Sequence, residues 1–297
     1  MLTIFATPKA FRGHLAVIQR NAITSWTRLS PRPQIIVFGD SYGTKDIAAE
    51  FGLEYFPQIE SNEFGTPYLG AMIARAERIA RFDLLCYINA DIILTDGFER
   101  AIERVRGKMR HFLMVGRRVN MDLDQLIRFD ANWREWLSQE MARRGLPGDH
   151  TSIDFFVFAN GLYRNVPPLV IGRAWFDQWM IKAALAQRVP VVDASALVPI
   201  VHQNHDYTHV EGGSNWVLRG VEAERNLAFC GGQHRYTLLD VTHELEPSGA
   251  IRKVRLRRTL FEAKGFLWKA FIRRAASIRD VLKLNRKHWH PKPSRNQ

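Results

Sequence analysis

Short apolar runs alternate along this chain with stretches whose apolar residues recur every three to four positions. Thr3–Ala6, Gln34–Phe38 (QIIVF) and Leu84–Ile88 (LLCYI) are continuous apolar segments of strand length, and Glu54–Phe56, Phe112–Val115, Phe155–Phe158 (FFVF) and Val191–Val192 read as further strands. Between them, His14–Trp26 carries Leu15, Ile18, Ala22, Ile23 and Trp26 on one stripe, and Thr66–Ala80 carries Leu69, Met72, Ile73, Ala76 and Ile79. Both patterns predict amphipathic helices. Thr44–Phe51, a helix capped by Asp96 and running through Val105, Asn132–Gly145 and Trp175–Ala186 complete the helical set. Val198–Tyr207 is expected to run from a strand into a polar loop, and Glu211–Ser214 to be loop.

Strands alternating with helices predict an α/β fold: a mostly parallel sheet with helices on both faces. Ligands of such sheets bind beyond the carboxyl ends of the strands. Polar punctuation falls there at Thr7-Pro8, Gly39-Asp40 and Asn89-Ala90-Asp91.

Composition narrows the class. The 297 residues are 46% hydrophobic and 24% charged, which suits a globule and excludes collagen or a wholly disordered chain. Two cysteines, Cys86 and Cys230, are too few for a disulfide framework or a cysteine-based zinc site. No apolar run is long enough for a membrane span, and no basic n-region with a long apolar run opens the chain, so a cytoplasmic protein is expected.

The net charge of +12 is concentrated at one end. Residues 251–297 hold 15 Lys/Arg and two Asp/Glu; the first 250 hold 27 and 28. A neutral globule over 1–250 with a basic tail over 251–297 is the expected division, the globule splitting into two halves, 1–118 and 119–250. In the tail, Leu260, Leu267, Phe271, Ala275, Ile278 and Leu282 share one helical face, with Lys269, Arg273, Asp280 and Lys283 opposite. Such a helix suits an anionic membrane surface on the inner face of the membrane, or packs its apolar face on the globule. No nucleic-acid-reading module is present, and no nucleic-acid partner is expected.

Asp91 stands at the end of an apolar strand in CYINADIILTD, where a carboxylate faces a ligand or caps a turn. The order strand-TP, strand-FGD, a helix with Arg75, then YINADIIL resembles the GT-A glycosyltransferases. The stretches SNEFGTPYL, IDFFVFANGLY, VIGRAWFDQWMI and VHQNHDYTHVEGG, within about residues 1–220, are similar to a group of nucleotide-diphospho-sugar transferases. The resemblance implies a GT-A (Rossmann-like) fold and sugar transfer. It departs from the family's D-x-D signature, since Asn89 replaces the first Asp.

A diphosphate leaving group calls for a divalent cation, Mn²⁺ or Mg²⁺. Asp91 is the first candidate ligand, and the family's second ligand, often a histidine near the end of the domain, maps to His202 or His205. For the donor, UDP-, GDP- or dTDP-linked, the candidates are Thr7, Pro8, Asp40, Arg75, Asn89, Ala90, Asp91 and Arg118. For a glycan or glycolipid acceptor they are Asp154, Trp175 and Trp179. Asp177, opening its helix, is the candidate general base of an inverting transfer, or a plain capping residue. Two other readings stand beside this one. A sugar nucleotidyltransferase would need a Gly-rich basic loop after the first strand, where ATPKAFRGH offers Lys9 and Arg12 but only Gly13. A non-catalytic carbohydrate-binding module would bind sugar without metal.

Overall fold

The apolar runs form the centre of one large sheet. In this computed structural model the described residues are 2–206, 212–232, 235–254 and 258–261. The chain divides into two compact units, 1–254 and 255–297. The helix expected over 260–284, in the second unit, lies outside the described residues but for Leu260 and Phe261.

In the first unit the elements are, in chain order, β1 (Thr3–Ala6), α1 (Gly13–Thr27), β2 (Gln34–Phe38), α2 (Thr44–Phe51), β3 (Glu54–Phe56), α3 (Leu69–Ile79), β4 (Leu84–Ile88), β5 (Ile92–Ile93), α4 (Phe98–Arg106) and β6 (Leu113–Met121). The middle of the unit adds α5 (Trp133–Arg144), β7 (Leu146–Pro147), β8 (Ile153–Ala159), α6 (Phe176–Ala186), β9 (Val191–Asp193) and β10 (Ile200–Gln203). The unit ends with α7 (Gly213–Arg219), α8 (Val221–Cys230), β11 (His243–Leu245) and β12 (Ile251–Lys253).

The sheet order is β12-β11-β9-β6-β8-β4-β1-β2-β3. β1 pairs in parallel with β2 and β4, β2 with β3, and β6 with β9. β8 runs antiparallel between β4 and β6. The fold is thus the expected mixed α/β type, consistent with a Rossmann-like GT-A fold.

Alternation along the strands divides the core in two. Ile4, Cys86 and Ile88 face α1 and α4 with Trp26 and Phe98, while Phe5, Leu85 and Tyr87 face α3 and α6 with Met72 and Met180. Each fully buried large side chain contributes roughly 1.5–3 kcal/mol. The continuous apolar runs arise because both faces of these strands are covered.

Three features depart from expectation. First, β6 continues to Met121 instead of ending at Val115. Its register shifts between Val115 and Arg117, and its second half leaves the main sheet to pair with β10 and β7. Gly116 permits the crossing: a Cβ there would meet the Phe155 ring at 2.9 Å. Second, Asp96 does not cap α4. Gly97 takes that position at φ 96°, and Asp96 pairs with Arg134 at 2.6 Å. Third, part of the expected 211–214 loop belongs to α7, and α8 comes directly after it.

Candidate functional site

β4 ends at Ile88, and Asn89-Ala90-Asp91 turns the chain into β5. β10 lies antiparallel to β5, with His202 opposite Ile92, which carries His202 alongside Asp91. The Asp91 Oδ2 lies 3.5 Å from His202 Nε2 and 3.0 Å from His205 Nε2. One ligand atom from each of the three residues falls within 4.8 Å of the others. All three side chains are mostly covered, with relative exposures of 14% (Asp91), 13% (His202) and 5% (His205).

The surrounding bonds fix this arrangement. Gln203 is fully buried and points away from its neighbour His202, as strand alternation requires. Its side-chain amide donates to the carbonyl oxygens of Asp91 (2.9 Å) and Ile18 (2.7 Å), and its carbonyl oxygen accepts from Asn21 at 2.9 Å. His205 Nδ1 lies 2.6 Å from the Asp206 carbonyl oxygen. A carbonyl only accepts, so that nitrogen carries a proton. In the neutral ring the Nε2 lone pair then faces the Asp91 carboxylate, an arrangement that a cation between them, or protonation of the ring, would relieve. Such carbonyl-bonded imidazoles are usual behind metal ions.

Among the described residues, two buried polar atoms, Asp91 Oδ1 and His202 Nδ1, have no hydrogen-bond partner. A buried unsatisfied polar atom is costly, so the free Asp91 oxygen fits a bound ion; His202 faces Asp91 with Nε2, and its Nδ1 points away. Burial alone would raise the Asp91 carboxyl; the charge of His202, the His205 hydrogen bond and Lys9 outweigh it, and the net direction is down. Burial in turn lowers His202 below its ordinary value, favouring the neutral ring that ligates metals. One carboxylate and two imidazoles suit a borderline divalent cation.

A second polar group adjoins the first. Asn89 donates to Asp154 at 2.8 Å and accepts from the Tyr87 hydroxyl at 3.0 Å. Arg118 forks onto both Asp154 oxygens at 3.2 and 3.0 Å, and bonds Asn120 at 2.9 Å. Asp154 is buried and both its oxygens are engaged, so it braces Asn89 and Arg118 rather than presenting a free carboxylate to an acceptor. Asp177 sits in the first turn of α6 behind Trp175, which takes a left-handed conformation (φ 85°). Burial pushes the Asp177 carboxyl up to about 7; backbone hydrogen bonding opposes this, and the charge of Asp154 adds to it.

Thr7 donates to the Met72 sulfur, Pro8 is buried, Ala90 is half-buried within the Asn89–Asp91 turn, and Asp40 is exposed. The Arg75 guanidinium lies over the Phe56 ring at 4.8 Å. Arg235 lies 5.1 Å over Trp175 and covers one face of its ring. Trp179 packs in the core against Tyr163 with 9% exposure, so the sugar platform expected there is corrected: its ring offers no open face.

Two residues outside the expected set belong to this site. Gln203 positions the Asp91 backbone; its only signal in the sequence is a polar residue inside VHQNHD. Lys9, just past β1, has its backbone held on both sides by the Gln19 side chain. Burial lowers its ammonium pKa, Asp91 opposes that shift, and Arg173 adds to it. Arg173 itself is held by Glu222 at 2.7 Å.

Neither a family model nor a curated protein matches the sequence. Solved structures do. S. aureus TarS is 12% identical over 68% of this chain and 36% of its own, with a TM-score of 0.45. This chain thus spans about a third of that protein. Glucosyl-3-phosphoglycerate synthase from Mycobacterium tuberculosis, in complex with Mn²⁺, UDP and phosphoglyceric acid, is 13% identical over 79% of this chain and 80% of its own (TM-score 0.44). A Bacillus anthracis protein described as a glucose-1-phosphate thymidylyltransferase is 10% identical over 79% and 97% (TM-score 0.43). Likeness at this level says nothing about residues or activity.

Proposed function

We propose that this chain is a glycosyltransferase that moves a sugar from a nucleotide-diphosphate donor to a glycan or lipid-linked acceptor, with inversion, using Mn²⁺ or Mg²⁺. The observation that carries the reading is the convergence of Asp91, His202 and His205 beyond β4, with Asp91 Oδ1 buried and unbonded among the described residues.

Those three residues would hold the ion. Bound there, a divalent cation neutralises charge on a departing diphosphate. The chain's own groups do the rest. Lys9 follows the carboxyl end of β1, where this sheet type receives phosphates, and its ammonium and the Asp91 carboxylate act on each other through their charges. Asn89, spent on Asp154 and Tyr87, serves as a brace in place of the missing first Asp. Asp177, with a pKa of about 7, is poised to take the proton of an attacking hydroxyl. The charges of the Asp154–Arg118 pair both act on the Asp177 carboxyl, Asp154 raising it and Arg118 lowering it.

The test is a panel of UDP-, GDP- and dTDP-sugars titrated with and without Mn²⁺ by calorimetry, on the native protein and on Asp91→Ala. Metal-dependent binding of one donor, lost in the variant, supports the reading. A non-catalytic module would keep sugar affinity without metal. No helix among the described residues is long and apolar enough to cross a membrane. Contact of 251–297 with anionic lipid is proposed from its charge alone, and sedimentation with anionic vesicles at low salt checks it.

A further inference from the structure

A cavity of about 590 Å³ opens between the loop over residues 122–132 and helix α5. It is within the usual size of small-molecule sites, roughly 300–1,000 Å³. It is lined by none of the donor, metal or acceptor candidates. We propose that this cavity binds a neutral saccharide, and serves as the outer acceptor subsite of the transferase proposed above; only the acceptor role rests on that reading.

The lining chemistry selects the ligand. Asp122, Asp124 and Asn132 supply hydroxyl-binding oxygens and an amide, while Leu126 and Trp136 supply apolar surface. Leu126 is 60% and Trp136 40% exposed, so both present apolar surface to the cavity. Trp136 thereby presents an indole, the surface on which a sugar's C–H face stacks, whereas its neighbour Trp133 is buried in the core. Among the described residues nothing bonds the Asp124 carboxylate or the Trp136 indole N–H. The cavity carries three Asp and two Arg, so an anionic ligand such as a phosphate finds no net positive field. A neutral polyhydroxylated ligand satisfies acid, amide and indole together.

The cavity also connects to the metal group. Asn204 donates to the Asp122 carboxylate at 2.8 Å, and the backbone N–H of Asn204 donates to Met121. Asn204 lies between His202 and His205. The same Asp122 accepts from Arg144 of α5 through its carbonyl oxygen at 2.7 Å. One wall of the cavity is therefore continuous with the loop that carries the candidate metal ligands. A sugar seated on Trp136 would be the part of a longer acceptor that lies away from the reacting hydroxyl.

The test is NMR of the indole N–H resonances of the full-length protein, with Trp136 assigned by its Trp136→Phe variant. Cellobiose, maltose and chitobiose are the probes, and orthophosphate and citrate the anionic controls, all without nucleotide. Saturable movement of the Trp136 resonance by at least one disaccharide is expected. Asp124→Ala should weaken that binding about tenfold, the loss of one hydrogen bond to a charged group; its unchanged melting transition would show that it folds. No movement with any disaccharide, or movement with the anions alone, overturns the proposal. Binding of Mn²⁺ and UDP is measured in parallel on the native protein. That parallel measurement covers GDP and dTDP as well as UDP: disaccharide binding with no metal-dependent binding of any of the three leaves a saccharide site and removes the transferase reading, and the reverse outcome removes the saccharide site alone.

Discussion

The side chain of Gln203 donates to the carbonyl oxygen of Asp91 at 2.9 Å, and so one strand that carries a candidate metal ligand also fixes the backbone of another. Because Gln203 is fully buried and also bonds Ile18 and Asn21, its replacement leaves several buried groups unpaired. Gln203→Ala should destabilise the protein by about 1–3 kcal/mol in urea unfolding. Its Mn²⁺ affinity should fall roughly 10–100-fold, as for other residues that hold a ligand in place.

Asp177 makes a pH prediction with a definite sign. Turnover should rise with pH and level off above about 7, as the base loses its proton. Asp177→Asn should remove that rise and cut turnover roughly 10²–10⁴-fold, measured as initial rates across the pH range. The same carboxyl affects stability in the opposite direction. Between the ordinary value of 3.8 and about 7 the folded state holds a proton that the unfolded state has lost. The stability contribution is therefore complete below 3.8 and is lost as pH rises to about 7. In Asp177→Asn, melting followed across this window should lose that part of the decline.

The Arg118–Asp154 pair should be a stability element. The Asp154 side chain is 6% exposed, and Arg118 supplies its counter-charge. Arg118→Ala leaves that charge unpaired and should cost about 3–5 kcal/mol in urea unfolding. Asp154→Asn removes a negative charge that raises Asp177, so the midpoint of the pH–rate profile should move down.

Arg173 and Glu222 offer a second case. Glu222 is fully buried and is held by Arg173, Asn62 and Trp216. Arg173→Met should destabilise strongly, by about 3–5 kcal/mol, whereas replacing both residues with apolar ones of similar size should cost much less. A double-mutant cycle in urea measures the difference.

The fold was legible where both faces of a strand are covered. QIIVF and LLCYI are apolar at every position because β2 and β4 lie between helix layers, and their limits match the sequence pattern. The second half of β6 was not legible. Arg117, Arg118 and Asn120 read as loop because that half leaves the main sheet, and Arg118 and Asn120 spend their polar groups on Asp154 and each other. α7 and α8 were missed because short helices with a narrow buried face carry little periodic signal.

In the site, Asp91, His202 and His205 are recognisable as residue types in a strand-end pattern, and the pairing of β5 with β10 brings them together. Gln203 was missed because a buried glutamine in a strand has no signature apart from its partners. Trp179 misled for the converse reason: an aromatic at helical spacing looks the same in a core as on a binding face, and α6 turns this one inward.

The proposed chemistry depends above all on Asp91, His202 and His205 gripping a divalent ion together. Calorimetric titration of Mn²⁺ into the native protein, Asp91→Ala and His202→Ala decides whether they do. Saturable single-site binding to the native protein is expected, with its loss or a fall of at least about 100-fold in each variant, a little under 3 kcal/mol. Undiminished binding by Asp91→Ala, or no binding by the native protein, would contradict it.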